Sequence, residues 1–194
     1  MSVVKTRPES FSEKQRKRHE SKALFLRLLK ETRIKNKRFF RDKIVLDIGP
    51  GPMGLLEASD AKIKIAVEPL AEHFRKHGLL LEDSNVVYLN IPAEELPFLD
   101  ETIDIVISRN SLDHVENPRE VINEVFRVLK IGGYFILNVD IDHPPLMAEP
   151  HKITPKMIEN MTKRLKLIRK IIYNKSHGWK GKMFVALYRK PKIK

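Results

Sequence analysis

Glycines at positions 49, 51 and 54 follow directly on an apolar run, in Val45-Leu46-Asp47-Ile48-Gly49-Pro50-Gly51-Pro52-Met53-Gly54. Residues without side chains let a backbone turn tightly there and approach a ligand closely. Taken alone, this spacing serves several nucleotide-binding families. Two acids narrow its chemistry. Asp47 stands near the end of the apolar run, where an unpaired carboxylate is costly; it can accept hydrogen bonds from loop amides or face the ammonium group of an amino-acid ligand. Glu68 directly follows a second apolar run, from where a carboxylate can take both hydroxyls of a ribose.

These residues need elements that hold them together. The run 43–48 is short, β-branched and stopped by glycine, which predicts a buried strand. A helix is expected over 53–59, a strand over 63–67, a helix over 70–78 and strands over 85–89 and 102–108. Asn117-Pro118 is a capping residue followed by proline, and Val121, Ile122, Val125, Val128 and Leu129 recur behind it at helical spacing. Gly132-Gly133 is expected to end that helix and open a strand over 134–139. Thr154-Pro155 repeats the start signal for a helix to about residue 164. Two β-rich stretches, 167–173 and 183–188, flank a segment holding Gly178 and Gly181, which suits an antiparallel pair.

Alternating strands and helices imply right-handed parallel crossovers. The expected fold is a doubly wound, Rossmann-like α/β sheet, mostly parallel, with an antiparallel C-terminal edge strand and helices on both faces. Residues 12–41 are read as helical, with an apolar patch of Ala23, Phe25, Leu26, Leu28 and Leu29 among basic residues, and about ten mobile residues before them. The division expected is a basic N-terminal helical extension, 1–43, and a main domain, 44–194.

In that order, five passages are similar to class I S-adenosylmethionine-dependent methyltransferases. The stretch from Val45 to Gly54 resembles the family's first motif, and Ala66-Val67-Glu68-Pro69 its acidic ribose motif. Ile91-Pro92-Ala93-Glu94-Glu95-Leu96-Pro97-Phe98 resembles the adenine-side loop. Ile103 to Ser108 through Leu112-Asp113-His114-Val115 resembles the fourth strand and its turn. Glu124 to Gly133 resembles the helix-to-fifth-strand passage of the small-molecule branch. The likeness covers about residues 44 to 140.

The resemblance implies S-adenosyl-L-methionine as cofactor. Gly49, Pro50 and Gly51 would flank its methionine portion, supported by Asp47. Glu68, with Pro69 beside it, would hold the ribose hydroxyls. Ala93 and Glu94 would lie near the adenine. Ser108, Arg109 and Asn110 would line the floor below the methyl group. Pro92 departs from the pattern, since many relatives carry aspartate there. Proline has neither an amide hydrogen nor a carboxylate for the adenine amino group, so adenine contact then rests on Ile91 and Glu94.

Methyl transfer from a sulfonium is an in-line displacement in which the protein mainly orients the partners. A hydroxyl or amine acceptor is helped by a base near the methyl. His114 and Asp113 are the best-placed candidates, with His143 and His151 next; for His114, packing or capping of the turn before Asn117 remains the competing reading. With no cysteine, cytosine C5 methylation through a thiolate adduct is excluded. Ser108-Arg109-Asn110-Ser111 stands where the Asn/Asp-Pro-Pro-aromatic motif of adenine amino methylation would follow the fourth strand. No carboxylate and histidine cluster has metal spacing, so no metal is expected.

Charge is segregated along the chain. Residues 1–43 hold 15 Lys/Arg against 5 Asp/Glu, 44–150 hold 8 against 19, and 151–194 hold 14 against 1. The net +12 therefore sits at the two ends, either as solvated surface or as a basic rim for an acidic partner. Arg16, Lys17, Arg18 and His19 are placed to meet an anionic group if the first helix covers the cleft. No apolar run approaches the roughly 18 residues of a membrane span, and a cytoplasmic location fits.

Three functions stay open. The favoured one is a methyltransferase acting on O or N of a small-molecule or glycan-type acceptor, an anionic one included. A methyltransferase for RNA or another polyanion is the second, with salt-sensitive nucleic-acid binding as its mark. The third is a nucleotide-binding module without methyl transfer, or a nicotinamide-dependent dehydrogenase. The acceptor atom and oligomeric state are open.

Overall fold

The computed structural model describes residues 10–52, 54–81, 84–142, 144, 145, 147, 150–174 and 181–192. Met53, His143, Gly178 and Trp179 lie outside them. Helix α1 (Phe11–Thr32) starts at Ser10, whose hydroxyl accepts from the Glu13 amide while the Glu13 carboxylate accepts from the Ser10 amide. This reciprocal cap satisfies two amides that the first turn cannot. The helix stops at Arg33, which takes a left-handed φ of 54° and donates its amide to the Lys30 carbonyl. Residues 33–41 were expected to continue it. Instead, Asn36 caps a separate 3-10 turn, Lys37–Phe40, by accepting the Arg38 amide.

Seven strands form one sheet: β1 (Ile44–Ile48), β2 (Ile63–Val67), β3 (Val87–Leu89), β4 (Ile103–Arg109), β5 (Leu129–Ile141), β6 (Lys166–Asn174) and β7 (Lys182–Arg189), in the order β3-β2-β1-β4-β5-β7-β6. The first five are parallel; β7 pairs antiparallel with β5, and β6 pairs antiparallel with β7, so β7 alone runs against the rest. The expected class therefore holds, with β6 as the outermost strand and β7 inside it. Strand order reverses between β1 and β4, so the crevice for a ligand opens at their carboxyl ends. Register places Asp47 beside Ala66 and Ile107, and Ile48 beside Val67 and Ser108.

Side chains alternate across the strands, so each sheet face has its own apolar cluster. Helix α2 (Ala71–Lys76) follows β2, and Leu46, Ile48, Val106, Phe135 and Leu137 pack with α3 (Pro118–Val128) and α4 (Pro155–Met161). Val45, Ile105, Ile107, Ile136 and Leu187 pack with Phe25 and Leu28 of α1 and with Phe40. The Phe25 and Phe40 rings meet edge-on at 5.1 Å. The apolar patch read from α1 is thus divided: Phe25 and Leu28 point inward, whereas Leu26 is 54% exposed. No helix among the described residues is long and apolar enough to cross a membrane.

Two expectations fail locally. Of the helix expected over 53–59, the described residues 54–59 form only a 3-10 turn, Leu56–Ala58, without a side-chain cap; Pro50, Pro52 and Gly54 crowd the place where a first helical turn would have to nucleate. Helix α3 ends at Val128 rather than at the glycines, and β5 begins at once with Leu129. Gly132 and Gly133 sit inside that strand. Gly132 takes φ 80° and donates to the Lys190 carbonyl at 2.8 Å, while Lys190 returns its amide to Gly133 at 2.9 Å. Pairing to β4 shifts across this point, with Leu129 opposite Ile103 but Tyr134 opposite Ile105. The glycines make a kink in the ladder.

Arg127 fastens α3 to the loop that leads into β4. Its guanidinium donates to the carbonyls of Leu96 and Phe98 at 2.8 and 2.6 Å, to Asp100 at 2.9 Å and to Glu124 at 2.7 Å. Arg127→Ala leaves those carbonyls without their donor, and a loss of about 2 kcal/mol is expected. Thermal unfolding followed by circular dichroism should fall by roughly 4–8 °C; an unchanged midpoint would show the loop to be held by its apolar contacts alone.

Candidate functional site

A cavity of about 570 Å³ opens where β1, β2 and β4 end. Its wall includes Ile48, Gly49 and Gly51 from the first strand and loop, Glu68 and Pro69 from the second, Ala93 and Glu94 from the loop before β4, and Asn110 and His114 from the turn after it. Pro50, Asp47, Arg109 and Asp113 lie outside that wall. Gly49 takes φ +61° and donates its amide to the Val67 carbonyl at 2.9 Å, which folds the loop back across β2. A Cβ at position 49 would meet the Ser111 Cβ at 2.5 Å, whereas one at Gly51 would meet nothing within 4 Å.

Glu68 joins the two strand ends. One carboxylate oxygen accepts the Gly51 amide and the other the Leu70 amide, both at 3.0 Å, and the residue is only 7% exposed. Each oxygen keeps a lone pair, so the group can hold the loop and still accept from two vicinal hydroxyls.

Asp47 is 1% exposed and neither of its oxygens has a hydrogen-bond donor among the described residues. Burial pushes its pKa up to about 7; the Arg109 guanidinium pulls against this and the Glu68 charge adds to it. Of the two roles open to Asp47, acceptance of loop amides is therefore not the one observed. Arg109, on the same side of the sheet, has its Nε buried without an acceptor, and desolvation followed by the Arg27 charge lowers its pKa. The buried Asn110 Oδ1 also lacks a donor. These charges lie behind the glycine loop, and a zwitterionic amino-acid group is the chemistry that would complete them.

In the loop between β3 and β4, Ala93 is buried and Pro92 lines the wall. The Glu94 carboxylate accepts the Asn117 amide at 3.1 Å, so it secures the start of α3. His114 lines the cavity and its side chain is 39% exposed, with Nε2 4.0 Å from a carboxylate oxygen of the fully buried Asp113. His151 reaches over from the segment before α4 to the carbonyls of Val115 and Glu116, at 2.8 and 3.1 Å. It therefore ties that segment to the turn after β4 and is not part of the cavity wall.

Ser111 was not expected among the site residues. Its hydroxyl donates to the Ile48 carbonyl at 2.8 Å and meets Ser108 Oγ at 2.9 Å. It backs the glycine loop from β4, and the Ser-x-x-Ser spacing in 108–111 was its signal in the sequence. Lys17 is not part of the cavity wall: it is buried, and its ammonium donates to the carbonyls of Gly78 and Leu80 at 2.7 and 3.1 Å. Arg16 pairs with Glu20, and Arg18 lines a separate groove.

With that geometry in place, the chain can be set beside the known proteins it resembles. A methyltransferase domain model matches residues 46–137. An uncharacterized methyltransferase of Mycobacterium leprae is 34% identical over 101 residues, which cover 51% of this chain and 38% of that protein. The chain therefore matches about two fifths of the length of such curated relatives. Among solved structures, a putative methyltransferase of Bacillus halodurans superposes with TM-score 0.73 at 16% identity, covering 88% of this chain and all of the other. A SAM-dependent methyltransferase of Methanosarcina mazei gives TM-score 0.62 at 22% identity, covering 78% and 93%. The domain match, these relatives and the shared fold support a class I S-adenosylmethionine-dependent methyltransferase.

Proposed function

We propose that this chain transfers the methyl group of S-adenosylmethionine to an oxygen or nitrogen of a small-molecule or glycan-type acceptor in the cytoplasm. One observation carries the cofactor reading: a buried carboxylate without a donor, Asp47, stands behind a glycine loop whose cavity is bordered by the anchored carboxylate of Glu68. When bound, the cofactor supplies an electrophilic methyl on sulfur. Gly49 and Gly51, with Pro50 between them, let the backbone approach its methionine portion, and Asp47 and Arg109 offer opposite charges to the ammonium and carboxylate. Glu68, beside Pro69, accepts from the ribose hydroxyls. Ala93 and Glu94 border the adenine, and Asn110 the floor near the methyl. His114 takes the acceptor's proton, with the Asp113 carboxylate 4.0 Å from its Nε2.

Calorimetric titration with S-adenosylhomocysteine tests this reading. Binding by the native chain is expected to weaken at least roughly tenfold in Glu68→Ala, which loses charge-assisted acceptors. NADH is expected not to compete. Absent binding would sink the cofactor assignment, and binding without transfer to any acceptor would leave a non-catalytic module.

A polyanionic acceptor such as RNA is supported by one further observation. Helix α1 packs against β6 and β7, and Arg27 donates to the Tyr173 hydroxyl at 3.0 Å, so the two basic ends share one side. Affinity for RNA that falls steeply with salt would favour it over the small acceptor.

A further inference from the structure

A second groove, of about 630 Å³, runs along the outward flank of α1 and shares no lining residue with the glycine-loop cavity. Arg18, Lys22, Leu26 and Leu29 recur at helical spacing on that flank and span about 16 Å of helix. Lys35 and Lys37, from the turn after the helix, form the opposite rim. Phe25, Leu26, Leu29 and Ala58 make the floor, in which Leu26 is 54% exposed. Glu57 is the single acid of the lining, and its carboxylate accepts the Ser84 hydroxyl. Lys37 pairs with Asp60 at 3.0 Å, while Lys22 and Lys35 have no ion-pair partner among the described residues. The groove thus sets an exposed leucine, continued by Leu29, between these two lysines, an apolar floor with a basic rim.

We propose that this groove docks a short acidic segment of a partner protein, anchored by an aliphatic side chain on Leu26. Charge complementarity identifies the occupant. Carboxylates along one face would meet Lys22 and Lys35, and the length suits about three helical turns of an amphipathic peptide. A two-fold symmetric contact with a second copy would bring Arg18, Lys22 and Lys35 against cations of their own kind, which costs rather than gains energy. A nucleic-acid strand would find charge but no ring to stack on, because Phe25 is 2% exposed.

The probe is a labelled amphipathic peptide with leucines at i, i+3, i+4 and i+7 and glutamates between them, read by fluorescence anisotropy against the full chain. Binding should be salt-sensitive and weaken roughly tenfold or more in Leu26→Asp and in Lys22→Glu/Lys35→Glu. A glutamine-for-glutamate peptide should lose binding to a similar degree. The thermal midpoint and S-adenosylhomocysteine affinity of these variants should stay at native values, which separates this docking site from the cofactor reading. Equal binding by native and variant proteins overturns the proposal. So does a silent peptide, whether or not polyuridine or phosphatidylglycerol vesicles bind in its place. Self-association in sedimentation equilibrium that Leu26→Asp abolishes would assign the groove to a dimer instead.

Discussion

Asp47→Asn is expected to stabilise the ligand-free protein above neutral pH while removing most of its affinity for S-adenosylhomocysteine. In the unfolded chain this carboxyl ionises near its ordinary value of 3.8, but in the folded chain burial holds its proton until about pH 7. Between those values the unfolded state binds fewer protons than the folded one, so stability falls as pH rises and levels off above about pH 7. The full penalty is on the order of 4 kcal/mol. Asparagine keeps the shape without the charge. Urea unfolding of the native protein should therefore weaken between about pH 4 and 7, while the variant's curve stays flat at this site and lies several kcal/mol higher at the alkaline end.

The same substitution should hurt binding. An ammonium group brought behind the glycine loop meets a carboxylate whose ionisation it favours, so native affinity should rise as pH passes through about 7. Losing that charge pair should cost about 2–3 kcal/mol, or roughly 30- to 150-fold in the dissociation constant. A variant that binds as tightly as the native chain, or that unfolds more easily at alkaline pH, would show that Asp47 serves the fold rather than the ligand. A carboxylate retained at a cost to stability fits the pattern by which functional sites trade stability for activity.

The parts of this site that were legible in the sequence are those set by neighbours in the chain. A β-branched run broken by glycine gave β1 and its loop, and Asn117-Pro118 and Thr154-Pro155 gave two helix starts in which the capping side chains accept amides as expected. What was missed depends on partners far along the chain. Gly132 and Gly133 read as a helix stop because nothing local says that Lys190 will pair with both and hold them in a strand. Lys17 read as part of a basic rim because the carbonyls of Gly78 and Leu80, more than sixty residues away, are invisible from its neighbourhood. The place of β7 inside β6, by contrast, carried an unused signal. Met183-Phe184-Val185-Ala186-Leu187-Tyr188 is continuously apolar, as a strand covered on both faces must be. Lys166-Leu167-Ile168-Arg169-Lys170 mixes cations into an outer strand, as edges do.

Gly49→Ala should be the most damaging single change in the loop, and comparison with Gly51→Ala isolates the cause. Both positions have left-handed φ, +61° and +66°, which costs a non-glycine residue about 1 kcal/mol. Only at position 49 does the added Cβ collide, at 2.5 Å from the Ser111 Cβ. Ser111 cannot withdraw freely, because its hydroxyl is tied to the Ile48 carbonyl and to Ser108. Relief must come from parting β1 and β4 where the strand order reverses, at an expected total of about 3 kcal/mol. Gly49→Ala is therefore expected to lower the thermal midpoint by roughly 6–12 °C and, by moving the loop, to weaken S-adenosylhomocysteine binding by about a hundredfold. Gly51→Ala should cost about 1 kcal/mol of stability, while its methyl, facing the cavity wall, reduces affinity. Adding Ser111→Gly to Gly49→Ala removes the opposing Cβ and should recover part of the lost stability despite the missing hydroxyl. If the double variant is no more stable than Gly49→Ala alone, the contact with Ser111 is not what position 49 requires, and the backbone φ carries the whole demand for glycine.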